Sequence, residues 1–107
     1  MIKITAIRDN IGLIKRFTVE GHAAYADYGN DIVCAAVSVT AYTALGALQE
    51  LAELKDFYTL REGYIDCRIP TGLDENTSRT VNTILETTMI GFMQIAAKYK
   101  DFVSVLN

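Results

Sequence analysis

Ile2-Lys3-Ile4-Thr5-Ala6 alternates apolar and polar residues with period two, which predicts a strand burying Ile2, Ile4 and Ala6. Asp9-Asn10-Ile11-Gly12 carries turn chemistry, because Asn and Gly tolerate positive φ. Leu13 to Glu20 alternates again, with Leu13, Phe17 and Val19 opposite Arg16, Thr18 and Glu20. The two strands are expected to form an antiparallel hairpin that delivers the chain to Gly21 and His22. After a loop the pattern becomes helical, from about Asp31 to Leu54, with Asn30 and Asp31 both competent N-caps. This helix is apolar on nearly all sides through Leu48 and thin, with Ala35, Ala36, Ala41, Ala44, Gly46 and Ala47. It is expected to be a buried central helix that packs on more than one side.

Phe57 to Leu60 and Tyr64 to Ile69 predict a second hairpin around Arg61-Glu62-Gly63, with Ile65, Cys67 and Ile69 on its inner face. Pro70 closes that strand, and Asp74, Asn76 or Thr77 can cap a second helix running to about Lys100. Its stripe is Val81, Ile84, Leu85, Thr88, Phe92, Ile95 and Tyr99, and a short strand, Phe102 to Leu106, follows. The order is ββαββαβ, an α+β sandwich with a mainly antiparallel sheet and two long helices. Residues 1–107 form one domain, without linker, repeat or low-complexity segment.

Half the residues are apolar, and the formal charge of −3 comes from interspersed acids and bases. No Lys/Arg stripe is present, which argues against direct nucleic-acid binding. The uncharged run from Ile32 to Leu48 is shorter than the roughly 20 residues that a membrane span needs, so no membrane partner is expected. The two cysteines are expected to be thiols in a reducing cytoplasm. A Cys34–Cys67 disulfide fits the spacing but would consume the more specially placed sulfur. One histidine and two distant cysteines offer no zinc-ligand spacing, no C-x-x-C redox pair exists, and no phosphate loop is present. No metal or cofactor is expected.

The candidate chemistry lies in Gly21 to Ser38, GHAAYADYGNDIVCAAVS. With the helix starting at Asn30 or Asp31, Cys34 falls in its first turn, where unpaired backbone N–H groups stabilise a thiolate. The helix end lowers a thiol pKa from about 8.5 to about 7 at most, so a full thiolate–imidazolium pair needs His22 as well. First-turn N–H groups can serve as the oxyanion hole. Asp31 either caps the helix or orients His22, and Ser38 either back-bonds to the Cys34 carbonyl or makes a polar contact in the cleft. Cys67 has the pattern of a core residue. The loop from Ala23 to Asn30, with Tyr25 and Tyr28, is expected to act as a mobile lid.

Gly21, His22, Ala23, Ala26, Gly29, Asp31, Ile32, Val33, Cys34, Ala35, Ala36 and Ser38 stand in a pattern that resembles the signature of the bacterial ribosomal-processing cysteine proteases. Chain length, element order and the IAAKYKDFVSV stretch are similar too. The resemblance implies a small cytoplasmic, homodimeric peptidase with a His22–Cys34 dyad and supporting roles for Gly21, Asp31 and Ser38. It also implies the family's substrate, the N-terminal extension of large-subunit ribosomal protein twenty-seven. The alternative is a non-catalytic ribosome-associated assembly protein in which Cys34 is merely buried. A second reason to expect the homodimer is independent of the resemblance: the apolar helix has more surface than the sheet and one partner helix cover.

Overall fold

The computed structural model describes residues 1–21 and 28–107, and of residues 28–31 the backbone course. The elements are β1 (Ile2–Arg8), β2 (Ile14–Glu20), α1 (Tyr28–Leu51), β3 (Tyr58–Arg61), β4 (Tyr64–Arg68), α2 (Glu75–Lys98) and β5 (Val103–Leu106). This is the expected ββαββαβ order. The strands form one sheet in the order β3-β4-β2-β1-β5. Every neighbouring pair is antiparallel except β1 with β5, which is parallel and needs the long α2 crossover.

The first hairpin turns where Asp9 Oδ1 accepts hydrogen bonds from the Ile11 and Leu13 N–H groups, both at 3.0 Å. Its register holds from Lys3–Glu20 to Ile7–Arg16, but Arg8 then pairs with Ile14 and leaves Lys15 as an extra residue. This bulge reverses the alternation beyond it. Ile14, not Leu13, therefore enters the core, where it is 2% exposed; simple alternation places the wrong residue there.

Both helices cover one face of the sheet. From below come Ile2, Ile4, Phe17, Val19, Ile65 and Cys67; from above, Val33, Val37, Ala41, Leu48, Leu85 and Phe92, all buried. The Phe17 and Phe92 rings meet at 6.0 Å between centroids. Gly91 lets α2 approach α1 closely, since a Cβ there would lie 3.3 Å from Thr40 Cγ2. Of the possible caps for α2, Asp74 is the one used: its Oδ1 accepts from the Thr77 N–H at 2.7 Å. The buried Thr88 hydroxyl donates to the Ile84 carbonyl at 2.7 Å, so it enters the core satisfied.

Three expectations about α1 are corrected. It begins at Tyr28, so Asn30 and Asp31 lie within the helix rather than ahead of it. It ends at Leu51, because Glu53 takes a left-handed conformation (φ 56°) and the Leu54 N–H turns back to the Leu48 carbonyl. That turn tucks Leu54 and Phe57 under the helix end, where both are buried. Nor is α1 buried all round: Ile32, Val39, Tyr42 and Leu51 remain exposed on its outer side. The stretch Ile32–Leu51 is long and apolar enough to cross a membrane by length and composition, yet one row of it is core.

The open face of the sheet holds a buried carboxylate. Asp66 points away from the helices, as the alternation predicts, but it is only 2% exposed. Arg16 grips it with Nε–Oδ1 at 2.8 Å and Nη2–Oδ2 at 3.0 Å, and Arg68 adds Nε and Nη2 on Oδ2 at 3.0 and 2.8 Å. The Arg16 hydrogen bonds, with help from Arg68, hold its carboxyl below the usual carboxylate range despite the cost of burial. Because Arg16 lies on β2 and Asp66 on β4, the clamp also locks the register of the two strands.

Candidate functional site

The end of β2, the start of the chain, the β3–β4 turn and the first half of α1 meet at a pocket of about 160 Å³. That is below the roughly 300–1,000 Å³ of a site that encloses a small ligand. It suits one or two side chains of a longer molecule. Ile2, Val19 and Ile65 form its apolar floor, while Cys34, Ser38 and Tyr42 form one wall from successive turns of α1. The rim is Gly21, Gly63, Arg61 and Tyr64.

Gly21 is required by the backbone. Its φ is +89°, and a Cβ there would collide with the carbonyl oxygen of Met1. Its N–H donates to the Gly63 carbonyl at 3.0 Å, tying the exit of β2 to the β3–β4 turn. The chain leaves this fixed point directly into His22. Of the residues singled out in the sequence, the structure gathers Gly21, Cys34 and Ser38 around one opening.

Cys34 is half-buried in the second turn of α1, not the first, because the helix starts at Tyr28. The charge effect of a helix end falls off within the first turn, so it does less for this thiol than a first-turn position would. By position, the Cys34 N–H also lies beyond the four that a helix start leaves unbonded. Asp31 is three residues before Cys34 on the same helix; as an internal residue it is not the N-cap. His22 and residues 23–27, including Tyr25, within the 23–30 stretch expected to act as a lid, lie outside the described residues, as do the side chains of Tyr28 and Asp31. Tyr28, Gly29 and Asn30 belong to α1, so the connection from β2 is shorter than expected.

The two cysteines are not joined by a disulfide. Cys67 is fully buried in β4, and burial, aided by the nearby Asp66 charge, pushes its thiol up to about 12. Such a thiol stays protonated and cannot act as a nucleophile near neutral pH. Of the two sulfurs, Cys34 is the one open to a substrate.

Three pocket residues escaped sequence reasoning. Tyr42 was within reach, because it continues the Cys34–Ser38 row by one more turn. Arg61 and Tyr64 carry no local signal, since only strand pairing brings the second hairpin beside Gly21.

The family model of cysteine protease Prp matches residues 1–104. Ribosomal processing cysteine protease Prp of Bacillus subtilis is 30% identical over 103 residues, covering 94% of this chain and 92% of that protein. The Staphylococcus aureus protein of the same name is 28% identical over 104 residues, with 94% and 93% covered. The crystal structure of SMU.848 from Streptococcus mutans superposes with a TM-score of 0.87 at 29% identity, covering 99% of this chain and 92% of that one. The same fold recurs at 22% identity in the S. aureus protease Prp in complex with a substrate peptide, with a TM-score of 0.83 and 98% and 97% covered. A whole-chain family match, a 30% identical relative and an open pocket at Cys34 agree: this chain belongs to the cysteine protease Prp family and is a cysteine protease.

Proposed function

We propose that Cys34 is the nucleophile and His22 its base, and that the substrate is the N-terminal extension of large-subunit ribosomal protein twenty-seven. The observation that carries this is the pocket in which Cys34 and Gly21 meet, with the chain continuing from Gly21 straight into His22. The relatives' name, ribosomal processing cysteine protease, supports the substrate class. A peptide extension is a flexible segment, and a small open pocket suits side chains of such a segment better than a folded surface.

In this reading the proton of the Cys34 thiol passes to His22, and the thiolate sulfur bonds to the scissile carbonyl carbon. Backbone N–H groups outside the helix interior stabilise the oxyanion. His22 then gives its proton to the leaving amine as the C–N bond breaks. Water attacks the thioester and His22 takes one of its protons; the C–S bond breaks, restoring the thiolate, and the first fragment departs as a carboxylic acid that loses its remaining proton to solvent. Because the helix end helps Cys34 little, His22 does most of the activation. Ser38 and Gly21 shape the pocket, and Asp31 supports the site from the preceding turn of α1.

The protein acts in the cytoplasm as a homodimer, without direct contact to nucleic acid or membrane. The exposed row Ile32, Val39 and Tyr42 on α1, with Ile90 and Met93 on α2, supports a second copy as its cover. The test of the chemistry is cleavage of a synthetic peptide spanning the start of the host's own ribosomal protein. Cys34→Ala should abolish turnover while the fold is kept, and His22→Ala should lower the rate by about 10² or more. Retained turnover in Cys34→Ala would refute the assignment.

A further inference from the structure

Four of the five arginines are matched to carboxylates: Arg8 to Glu86, Arg16 and Arg68 to Asp66, and Arg79 to Glu75. Arg61 has no such partner among the described residues. It is exposed, and it is the one charged residue among the described residues that line the Cys34 pocket. Its guanidinium rests over the ring of Tyr64, its cross-strand neighbour, with the central carbon 4.6 Å from the ring centroid. Tyr64 is itself held, since its hydroxyl lies 3.4 Å from Asp66 Oδ2, the carboxylate that Arg16 and Arg68 clamp. The network thus runs from the open sheet face to the pocket rim and ends in a guanidinium with unused donors.

We propose that Arg61 holds a main-chain carbonyl oxygen of the bound peptide, with Tyr64 as the positioning residue that orients the guanidinium. This rests on the reading of Cys34 as the nucleophile. A planar fork of N–H donors suits either a carbonyl or a carboxylate. The surroundings favour the neutral group: Glu20 pairs with Tyr64 in the sheet and Glu62 follows Arg61 in the chain, so two acids adjoin the rim residues without lining the pocket. A third carboxylate would meet repulsion that a carbonyl does not. β3 is also an edge strand, exposed along its length, which leaves room for an extended peptide beside Arg61. Recognition of main chain would let the site grip a peptide independently of the side chain at that position.

The experiment is a binding cycle between Arg61 and the carbonyls of a peptide that the wild-type enzyme cleaves. The peptide, free of Asp and Glu, is made in versions with one non-scissile carbonyl reduced to methylene at a time. Affinities are measured on Cys34→Ala protein with Arg61, Arg61→Met or Arg61→Lys. One reduced position should cost about tenfold in Kd with Arg61 present and nothing with Arg61→Met, as expected for a charge-assisted hydrogen bond. Arg61→Lys should recover part of the difference, and kcat in the Cys34 background should change little while KM rises. The proposal is overturned if no carbonyl couples to Arg61, or if coupling appears only when a Glu or Asp side chain is introduced. Cleavage by the Cys34→Ala protein would instead refute the nucleophile, a separate result.

Discussion

Gly21→Ala tests whether the backbone at the pocket rim is as constrained as its geometry indicates. An L-residue at positive φ costs about 1–2 kcal/mol, of which about 0.4–1 kcal/mol is returned by the stiffer unfolded chain. The new Cβ also meets the Met1 carbonyl oxygen. Met1 is exposed and can shift, but Ile2 cannot follow: it is 3% exposed and its N–H donates to the Phe102 carbonyl at 2.8 Å. Gly21 must therefore retreat and weaken its 3.0 Å bond to the Gly63 carbonyl, a loss of about 1 kcal/mol. The total is about 2 kcal/mol, or a fall in Tm of about 10 °C for a domain of this size. Gly12→Ala is the control, since Gly12 has φ +90° but nothing within 4 Å of an added Cβ. It should cost about half as much and leave kcat/KM unchanged, whereas Gly21→Ala should lower kcat/KM about tenfold even at temperatures where it is fully folded. Thermal unfolding and peptide cleavage of the two variants decide the matter. Equal Tm losses would refute the Met1 collision, and unchanged cleavage by folded Gly21→Ala would refute its positioning role.

An alkylating reagent near neutral pH should label Cys34 and spare Cys67, and Cys67→Ser should keep activity while losing stability; a folded but inactive Cys67→Ser would mean that the wrong sulfur has been chosen. Asp66 has a lowered carboxyl pKa in the fold, so the unfolded chain binds its proton first as pH falls. Its contribution is complete above the ordinary carboxylate value of about 4 and disappears below it. The Tm difference between wild type and Asp66→Asn should accordingly shrink as pH falls below about 5, through the ordinary carboxylate value toward the lowered one of the fold; a constant difference would count against the clamp. Phe92→Ala should cost about 3–5 kcal/mol in denaturant unfolding, because the ring is fully buried against Phe17. A loss below about 1 kcal/mol would show that the core collapses around the gap.

Periodicity carried the fold a long way. The 3.6-residue stripe from Val81 to Tyr99 and the twofold alternation in β1 and β4 are local consequences of backbone geometry, and each predicts its own buried face. The cluster at Gly21, Cys34 and Ser38 was legible for a similar reason: a strand end and a helix start separated by a short connection have few places to go. The solvent-facing position of Asp66 was also legible, but its burial was not, since the clamping Arg16 is 50 residues away and arrives through strand pairing. The same holds for Arg61 and Tyr64, which reach the pocket because β4 pairs with β2 and carries the β3–β4 turn beside Gly21.

The helix limits and the bulge mark where local rules gave way. Asn30 and Asp31 are good caps by residue type, yet α1 starts at Tyr28 and takes them inside. Leu54 fits the helical pattern, but burying it with Phe57 requires the turn at Glu53, and tertiary packing outweighs the cost of one left-handed residue. Lys15 bulges because Arg8 must meet Ile14, and only the paired strand can reveal that. By itself the sequence determined element types, their order and the inner faces of most elements, because these follow from residue chemistry within a few positions. Tertiary structure alone decided the register, the second hairpin's share of the pocket and the buried charge on the open face, because each depends on contacts between residues distant along the chain.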